Sequence, residues 1–256
     1  MRRALVGGLA LAVALALPGA ARTNVPLLDD ARRSSLPALA ARGLSVYCGG
    51  ERGRYVALTF DDGPGRYTPR VLALLARAHA RATFFLVGNR VRYWSGLVRT
   101  ELAEHAVGNH TWDHARLPGL GARATYAELS RTQSAIVRAT GVRPLIFRPP
   151  YELMTGEAAR VARALGLTVV LWSIDSGDSA PGAAADAVAR TVIARLRPGA
   201  IVLLHDIRPA GVAALPRILR AVRKLGLHAV TVPELVALDP PSHPQLFVTR
   251  PSGRCP

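Results

Sequence analysis

Cysteine is scarce in this chain, which has only two, Cys48 and Cys255. Neither lies at the spacing that a zinc site built from cysteines requires, so that class of metal site is excluded. They lie towards opposite ends of the chain, and the termini of a domain often lie close together. An oxidising compartment would permit a disulfide between them, with two free thiols as the alternative.

Acidic residues and lysine are also scarce. The 17 acidic residues are outnumbered by 33 basic ones, which gives a formal net charge of +16, and Lys224 is the only lysine. The arginines are scattered along alanine-rich stretches without a nucleic-acid-binding motif, so a nucleic-acid partner is not predicted. We expect the charge to favour electrostatic association with an anionic cell envelope, and a solvated surface without a partner is the alternative.

The chain begins with an apolar run over residues 4–17, which is preceded by Arg2 and Arg3 and followed by Pro18 and small residues. The run is shorter than the roughly 20 residues of a membrane-spanning helix. This pattern is typical of a secretory signal peptide. We therefore predict a cleaved signal peptide over residues 1–21 and a secreted, periplasmic or cell-envelope protein, with an uncleaved anchor as the alternative.

Three regions follow the predicted signal peptide. Residues 22–54 are predicted to form a linker or loosely packed N-terminal lead-in, and the proline-rich residues 239–256 an irregular tail. Across residues 55–238, short apolar runs alternate with stretches of helical period, which predicts seven β/α units and a mainly parallel sheet. The apolar runs lack strict polar alternation, as expected for strands buried on both faces.

Charged or ionisable side chains follow five of the predicted strands. They are Asp61 and Asp62, His110, Arg148, Asp175 and Asp178, and His205. In a barrel, catalytic groups gather at the carboxyl ends of several strands. An open sheet concentrates its chemistry at one switch point, and the chain lacks a glycine-rich phosphate loop. The sequence therefore favours an α/β fold with barrel-like closure.

Asp61 and Asp62 are adjacent, and two carboxylates so close repel each other unless a cation lies nearby. His110 and His114 are four residues apart, so on a helical turn both imidazoles would reach one ion. Two imidazoles and the Asp62 carboxylate suit a borderline divalent metal such as zinc, with a position left for water or substrate. The sequence predicts such a site. An ordinary Asp-Gly-Pro turn and two surface histidines are the alternative.

Four ordered motifs, TFDDGP, HTWDH, FRPPY and LLHD, resemble those of the NodB-like polysaccharide deacetylases, carbohydrate esterase family four. The resemblance spans residues 55–238. It implies a distorted barrel of seven β/α units, the NodB homology domain. It also implies a hydrolase that uses a divalent metal to remove acetyl groups from N-acetylated or O-acetylated sugars. Zinc is the expected metal, with cobalt, nickel and manganese as alternatives.

The resemblance assigns roles to the motif residues. Asp62, His110 and His114 would bind the metal. Asp61 would be the general base that activates water, and His205 would be the general acid that protonates the leaving amine. Hydrolysis of an unactivated amide needs both an activated water and a proton donor for the amine.

Three further residues take roles from the same resemblance. Arg148 would pair with Asp61 and hold it ionised. Tyr151 would bind the oxyanion through its backbone N–H. Tyr151 and Leu203 occupy positions that wall the acetyl pocket.

The sequence departs from the family pattern where an Asp-Trp pair is common, because Asp178 is followed here by Ser179. We expect Asp178 to orient His205 and to raise its pKa, with Asp175 as the alternative. Loss of the aromatic residue predicts a wider or wetter pocket, unless Trp172 or Trp112 fills the gap.

A second departure is Glu152, where a glycine often follows the tyrosine. A charged side chain at the rim could alter sugar binding. Neither departure affects a proposed metal ligand, the base or the acid, so we expect activity to survive.

These observations favour an exported, metal-dependent deacetylase, a hydrolase of non-peptide carbon–nitrogen bonds. Its substrate would be an N-acetylglucosamine polymer such as peptidoglycan, a chitin-like chain or an exopolysaccharide. An O-acetyl esterase acting on acetylated xylan or cell-wall glycan would use the same residues. A catalytically lapsed glycan-binding protein of the envelope is the alternative of another class.

Overall fold

The computed structural model describes residues 35–245. The predicted signal peptide, residues 1–21, and Cys255 lie outside the described residues. In the part of the chain that is described, no helix has both the length and the apolar character needed to cross a membrane.

Within the described residues, a sheet of nine parallel strands forms the centre of the fold. The strands are β1 (Ser45–Val46), β2 (Tyr55–Asp61), β3 (Ala82–Leu86), β4 (Ala106–Asn109), β5 (Ile146–Phe147), β6 (Thr168–Val170), β7 (Ile174–Asp175), β8 (Ile201–His205) and β9 (His228–Ala229).

Nine α-helices accompany the strands within residues 35–245, and a 3₁₀ helix spans Pro150–Glu152. The α-helices are α1 (Leu36–Ala41), α2 (Thr68–Arg77), α3 (Gly88–Val91), α4 (Ser95–Glu104), α5 (Ala122–Thr140), α6 (Gly156–Ala164), α7 (Ala185–Ile193), α8 (Pro209–Lys224) and α9 (Val232–Leu238).

Helix ends follow from local side-chain chemistry. Thr231 and Glu234 form a reciprocal capping box at the start of α9, which satisfies two backbone N–H groups that the helix leaves unpaired. α5 ends at Gly141 in the left-handed conformation, which glycine adopts without steric cost.

The sheet curls into a distorted barrel. The sheet runs β1-β6-β5-β4-β3-β2-β8-β7, and β9 pairs with the start of β2. The predicted strand TVVLWSID is divided, because β6 pairs with β5 whereas β7 pairs with β8. Residues 168–175 thus connect the two sides of the sheet, and the predicted barrel-like α/β fold is confirmed.

The lead-in predicted over residues 22–54 contributes to this sheet. β1 pairs with β6, and Cys48 forms an antiparallel bridge with Ala200 just before β8. The expectation of a loosely packed segment is wrong for its described part, because Leu36, Leu39 and Val46 are buried in a core cluster.

The described part of the predicted tail packs against the same segment. The side chain of Gln245 accepts a hydrogen bond from the Tyr47 N–H at 2.5 Å, and buried Asp239 accepts one from the Gly53 N–H at 2.6 Å. Cys48 is buried and is not a free thiol. Its predicted pairing with Cys255 stays a prediction, because Cys255 lies outside the described residues.

Alternation along β2 determines which side chains enter the barrel. Val56, Leu58 and Phe60 belong to the core cluster that includes residues of α2, α7 and α8. Ala57 belongs to a second cluster with residues of β1, β3, β5, β6 and β8. Successive side chains of a strand point to opposite faces, so Thr59 and Asp61 lie on the same inner face as Ala57.

Candidate active site

The two adjacent aspartates have different environments. Asp61 is the last residue of β2, whereas Asp62 leaves the strand with φ 70°. Asp61 Oδ1 lies 2.8 Å from Arg148 Nη1, and Asp62 Oδ1 lies 3.0 Å from His114 Nε2. Each carboxylate therefore has a cationic or polar neighbour of its own, which explains how both fit at one strand end.

His110 and His114 converge on Asp62 as predicted for a shared ion, but not through a helical turn. Residues 110–115 form an irregular loop in which Thr111 and His114 each have φ 65°. His110 Nδ1 lies 2.7 Å from the carbonyl oxygen of Arg148, so its Nε2 faces Asp62 Oδ1 at 3.5 Å. The expected helical geometry is wrong, because left-handed backbone at two positions folds the loop back.

Asp62, His110 and His114 could hold a metal ion. One ligand atom from each residue lies within 4.8 Å of the others. Asp62 Oδ1 is buried and makes no well-oriented hydrogen bond to a described residue, although two imidazole nitrogens are close to it. Nitrogen and oxygen ligands that crowd one point without bonding to each other fit a borderline divalent cation.

The electrostatics of Asp62 agree with this fit. Burial raises the pKa of the Asp62 carboxyl, but the neighbouring His110 and His114 outweigh burial and hold this pKa well below its usual range. The carboxylate is thus the stable form, and it is the form that a metal requires.

The loop that carries Asp62 rests on buried Asp206. The Thr68 hydroxyl donates to Asp206 and accepts a hydrogen bond from the Gly65 N–H at 2.8 Å. A Cβ on Gly63 would lie 2.5 Å from an oxygen of Asp206, so only glycine fits there. Burial raises the pKa of Asp206 to about 7.

Arg148 is fully buried inside the barrel, where its guanidinium has four acceptors. Nη1 donates to Asp61 Oδ1 at 2.8 Å and to Thr59 Oγ1 at 2.7 Å. Nε and Nη2 donate to the carbonyl oxygens of Val170 and Leu171 at 3.1 and 2.8 Å. Burial lowers the pKa of Arg148, and Asp61 opposes that shift.

His205, at the end of β8, is held by both oxygens of Asp178. Asp178 Oδ1 lies 2.7 Å from His205 Nδ1, and Oδ2 accepts the backbone N–H of His205 at 2.8 Å. Burial lowers the pKa of His205, but the hydrogen bond and charge of Asp178 raise it to about 9. Asp175, the alternative partner, is exposed and accepts from the Gly177 N–H instead.

One cavity of about 440 Å³ is lined by Asp61 and His205, the candidate base and acid. The three candidate metal ligands, Asp62, His110 and His114, line the same cavity. Tyr151, Leu203 and Trp172 line it, and so does Ser179 at the position where the family pattern predicts tryptophan. Trp172 therefore lies at the pocket. Trp112 instead packs against the core cluster that includes residues of α2, α7 and α8, and the Arg131 guanidinium lies over its ring.

Tyr151 and Glu152 are both in left-handed backbone, with φ 58° and 57°. Non-glycine residues in this region store strain, which is common at functional sites. The Tyr151 ring lies edge-on to His114 with centroids 4.6 Å apart. Burial and the nearby Asp175 raise the pKa of Glu152 to about 7.

Several supporting residues were not predicted. Thr59 joins Arg148 to the Val202 carbonyl oxygen, and Glu128 accepts the Trp112 N–H at 2.8 Å. A Cβ on Gly211 would lie 2.2 Å from Asp178 Oδ2. The threonine in an apolar strand and the glycine in the first turns of a helix were the available signals.

Asn109 supports the histidine loop. Its side chain accepts the Thr111 N–H at 2.9 Å and donates to the Leu129 carbonyl oxygen at 2.8 Å.

The sequence of this chain is similar to those of known polysaccharide deacetylases. The sequence model described as polysaccharide deacetylase matches residues 49–170. The peptidoglycan-N-acetylglucosamine deacetylase PgdA of Listeria monocytogenes is 40% identical over 70% of this chain, which spans only 38% of that protein. A peptidoglycan-N-acetylglucosamine deacetylase of Bacillus cereus is 37% identical over 69% of this chain and 68% of its own length. A bifunctional xylanase/xylan deacetylase of Cellvibrio japonicus is 37% identical over 59% of this chain and 23% of its own.

Solved structures give the same result. A family 4 carbohydrate esterase from Streptomyces lividans in complex with acetate shares 37% identity, with a TM-score of 0.66 over 71% of this chain and 92% of its own. A CE4 family pseudoenzyme from Bacillus anthracis shares 27% identity, with a TM-score of 0.70 over 75% of this chain and 68% of its own. The resemblance carried by the four motifs is confirmed, and the chain belongs to the polysaccharide deacetylase family.

Proposed function

We propose that the protein is an exported, metal-dependent deacetylase that hydrolyses the N-acetyl group of N-acetylglucosamine in peptidoglycan or a related polymer. The observation that carries this proposal is the content of one cavity. It holds the Asp62–His110–His114 group, Asp61 backed by Arg148, and His205 backed by Asp178. The relatives named as peptidoglycan-N-acetylglucosamine deacetylases support the substrate class.

A divalent metal held by Asp62, His110 and His114 would polarise the acetyl carbonyl and lower the pKa of water. Zinc suits the two nitrogens and one oxygen, and cobalt, nickel or manganese would also fit. Asp61, which its ion pair with Arg148 holds in place, accepts the proton of the attacking water. The Tyr151 backbone N–H helps to bind the oxyanion, and Tyr151 and Leu203 contact the acetyl group.

His205 donates a proton to the leaving amine. Its raised pKa, about 9, keeps the imidazolium populated at neutral pH, and Asp178 fixes the ring so that Nε2 is the donor. The acceptor and the donor are thus held by separate partners, which lets one be charged negatively and the other positively in the same cavity.

The proposed export rests on the predicted signal peptide and on the match to relatives named as peptidoglycan-N-acetylglucosamine deacetylases. N-terminal sequencing of secreted protein should give a start near Arg22, and material that begins at Met1 would contradict cleavage.

Two other functions have specific support. The xylan deacetylase relative supports O-deacetylation, for which His205→Ala should cost less because an alcohol leaves more readily than an amine. The CE4 family pseudoenzyme of Bacillus anthracis is a precedent for this fold without turnover, which is the catalytically lapsed alternative.

The experiment is acetate release by metal-stripped protein, given zinc or cobalt, from chitin oligomers, peptidoglycan and acetylated xylan. Metal-dependent release that Asp61→Asn and His110→Ala abolish, and that the control Arg160→Gln leaves unchanged, would support the proposal. Arg160 is exposed on α6. Stoichiometric metal binding without acetate release from any substrate would contradict the proposal and favour a glycan-binding protein without turnover.

A further inference from the structure

A cationic groove lies at the end of the barrel opposite the active-site cavity. It is lined by the C-terminal turn of α2, the second half of α8, and the segments that lead into β3 and β9. These segments adjoin the amino ends of strands, whereas the active-site residues follow the carboxyl ends. Two adjoining cavities of about 300 Å³ each form the groove and share Ala78, His79, Leu219 and Arg223.

Three exposed arginines line the groove, namely Arg77, Arg220 and Arg223. None of them forms an ion pair with a described residue, and among residues 35–245 no acidic side chain lines either cavity. The exposed imidazoles of His79 and His228 lie along the same groove. The groove therefore presents cationic donors without an internal counter-charge.

Neighbouring groups add to this charge. The Arg54 guanidinium donates to the carbonyl oxygens of Leu225 and Gly226 at the end of α8, the second at 2.8 Å. Glu234, an acid of the following helix α9, is already paired with Arg81.

Helix dipoles explain only part of this arrangement. Arg77 and Arg223 lie in the last turns of α2 and α8, where cations stabilise a helix. Arg220 lies one turn earlier, three residues from Arg223, and like charges at that spacing destabilise a helix slightly. An anion bound between the two helices would remove this repulsion.

The floor of the groove is apolar, with Leu74, Pro216 and Leu219 among its lining residues. An apolar floor edged by guanidinium groups suits a ligand that has apolar faces and repeated anionic groups. The planar guanidinium binds carboxylates bidentately.

We propose that this groove binds a carboxylate-bearing glycan strand, a second stretch of the same wall polymer whose acetyl groups the cavity removes. This proposal rests on the proposed function for the identity of the polymer. The groove holds the enzyme on the wall while the cavity at the opposite end acts on another strand.

The test is co-sedimentation of metal-free protein with purified peptidoglycan from which phosphodiester polymers have been removed by hydrogen fluoride. The variant Arg77→Gln/Arg220→Gln/Arg223→Gln should bind about tenfold more weakly at low salt, and the difference should disappear at high salt. The matched control, Arg160→Gln/Arg163→Gln/Arg190→Gln, removes the same charge from exposed positions on α6 and α7. It should bind nearly as tightly as the parent.

Three results would overturn the proposal. They are equal loss of binding in the control, loss of binding by the parent after hydrogen fluoride treatment, and duplex DNA binding with the same dependence on the three arginines. Acetate release from soluble chitin oligomers, measured in parallel, should be unchanged in the groove variant. Absence of release by the parent, with groove-dependent binding intact, would refute the proposed catalysis and not the groove.

Discussion

Replacing Arg148 by methionine should destabilise the protein and abolish its activity together. The guanidinium is fully buried and donates to Asp61, Thr59, Val170 and Leu171. Methionine would fill a similar volume without donating to any of these four acceptors. Asp61 would then be a buried carboxylate without its cation.

The expected cost follows from those contacts. Breaking a buried ion pair by removing one partner costs about 3–5 kcal/mol, and each neutral acceptor left dry adds about 1 kcal/mol where water cannot reach it. With three such acceptors, Thr59 Oγ1 and the Val170 and Leu171 carbonyl oxygens, the sum is about 6–8 kcal/mol, a large share of the roughly 5–15 kcal/mol typical of a domain. We expect Arg148→Met to lose roughly half of the free energy of unfolding.

Urea unfolding of metal-free protein, followed by circular dichroism, measures this loss, and acetate release measures activity. The informative control is Arg148→Met/Asp61→Leu, which removes both charges. It should recover about 3 kcal/mol of the lost stability because no unpaired charge remains, and it should stay inactive. A single variant within about 1 kcal/mol of the parent, or a double variant no more stable than the single, would refute the reasoning.

Three further substitutions test residues that surround His205 or line the active-site cavity. Asp178→Asn removes the group that raises the pKa of His205 to about 9, so the alkaline fall in kcat should move to lower pH; an unmoved limb would exclude His205 as the acid. Gly211→Ala forces a Cβ to within 2.2 Å of Asp178 Oδ2, which should lower kcat by at least tenfold, whereas the exposed control Gly156→Ala should not; parental kcat in G211A would show that the contact is dispensable. Burial and the nearby Asp175 raise the pKa of Glu152 in the cavity wall to about 7, so Glu152→Gln should flatten the change in KM between pH 6 and 8. An unchanged KM profile would remove Glu152 from the substrate site.

Much of the fold could be predicted from the sequence because its strands are short apolar runs with polar residues at their carboxyl ends. Parallel strands bring those ends to one edge, so the sequence predicts that Asp61, His110, Arg148 and His205 lie together. The four motifs added the family, which independent comparison confirms.

What the sequence could not predict depends on contacts between distant segments. The division of residues 168–175 into β6 and β7 is set by pairing with β5 on one side and β8 on the other. Apolar periodicity across the run is continuous, so nothing local marks the break. The left-handed residues Thr111 and His114 were missed for a related reason, because distant and local side chains hold their loop. Asn109 accepts the Thr111 N–H, and Glu128 accepts the N–H groups of Trp112 and Asp113.

The break between β6 and β7 also explains why stability and catalysis should be inseparable at Arg148 but separable at Asp178. Pairing passes from β5 to β8 near Val170 and Leu171, whose carbonyl oxygens accept from Arg148. The guanidinium therefore joins this crossing point of the barrel to Asp61, so any loss of Arg148 weakens the fold and the base at once. Asp178 lies in the loop after β7 and acts on His205 alone among the proton-transfer candidates. Its replacement should change the pH profile before it changes the fold.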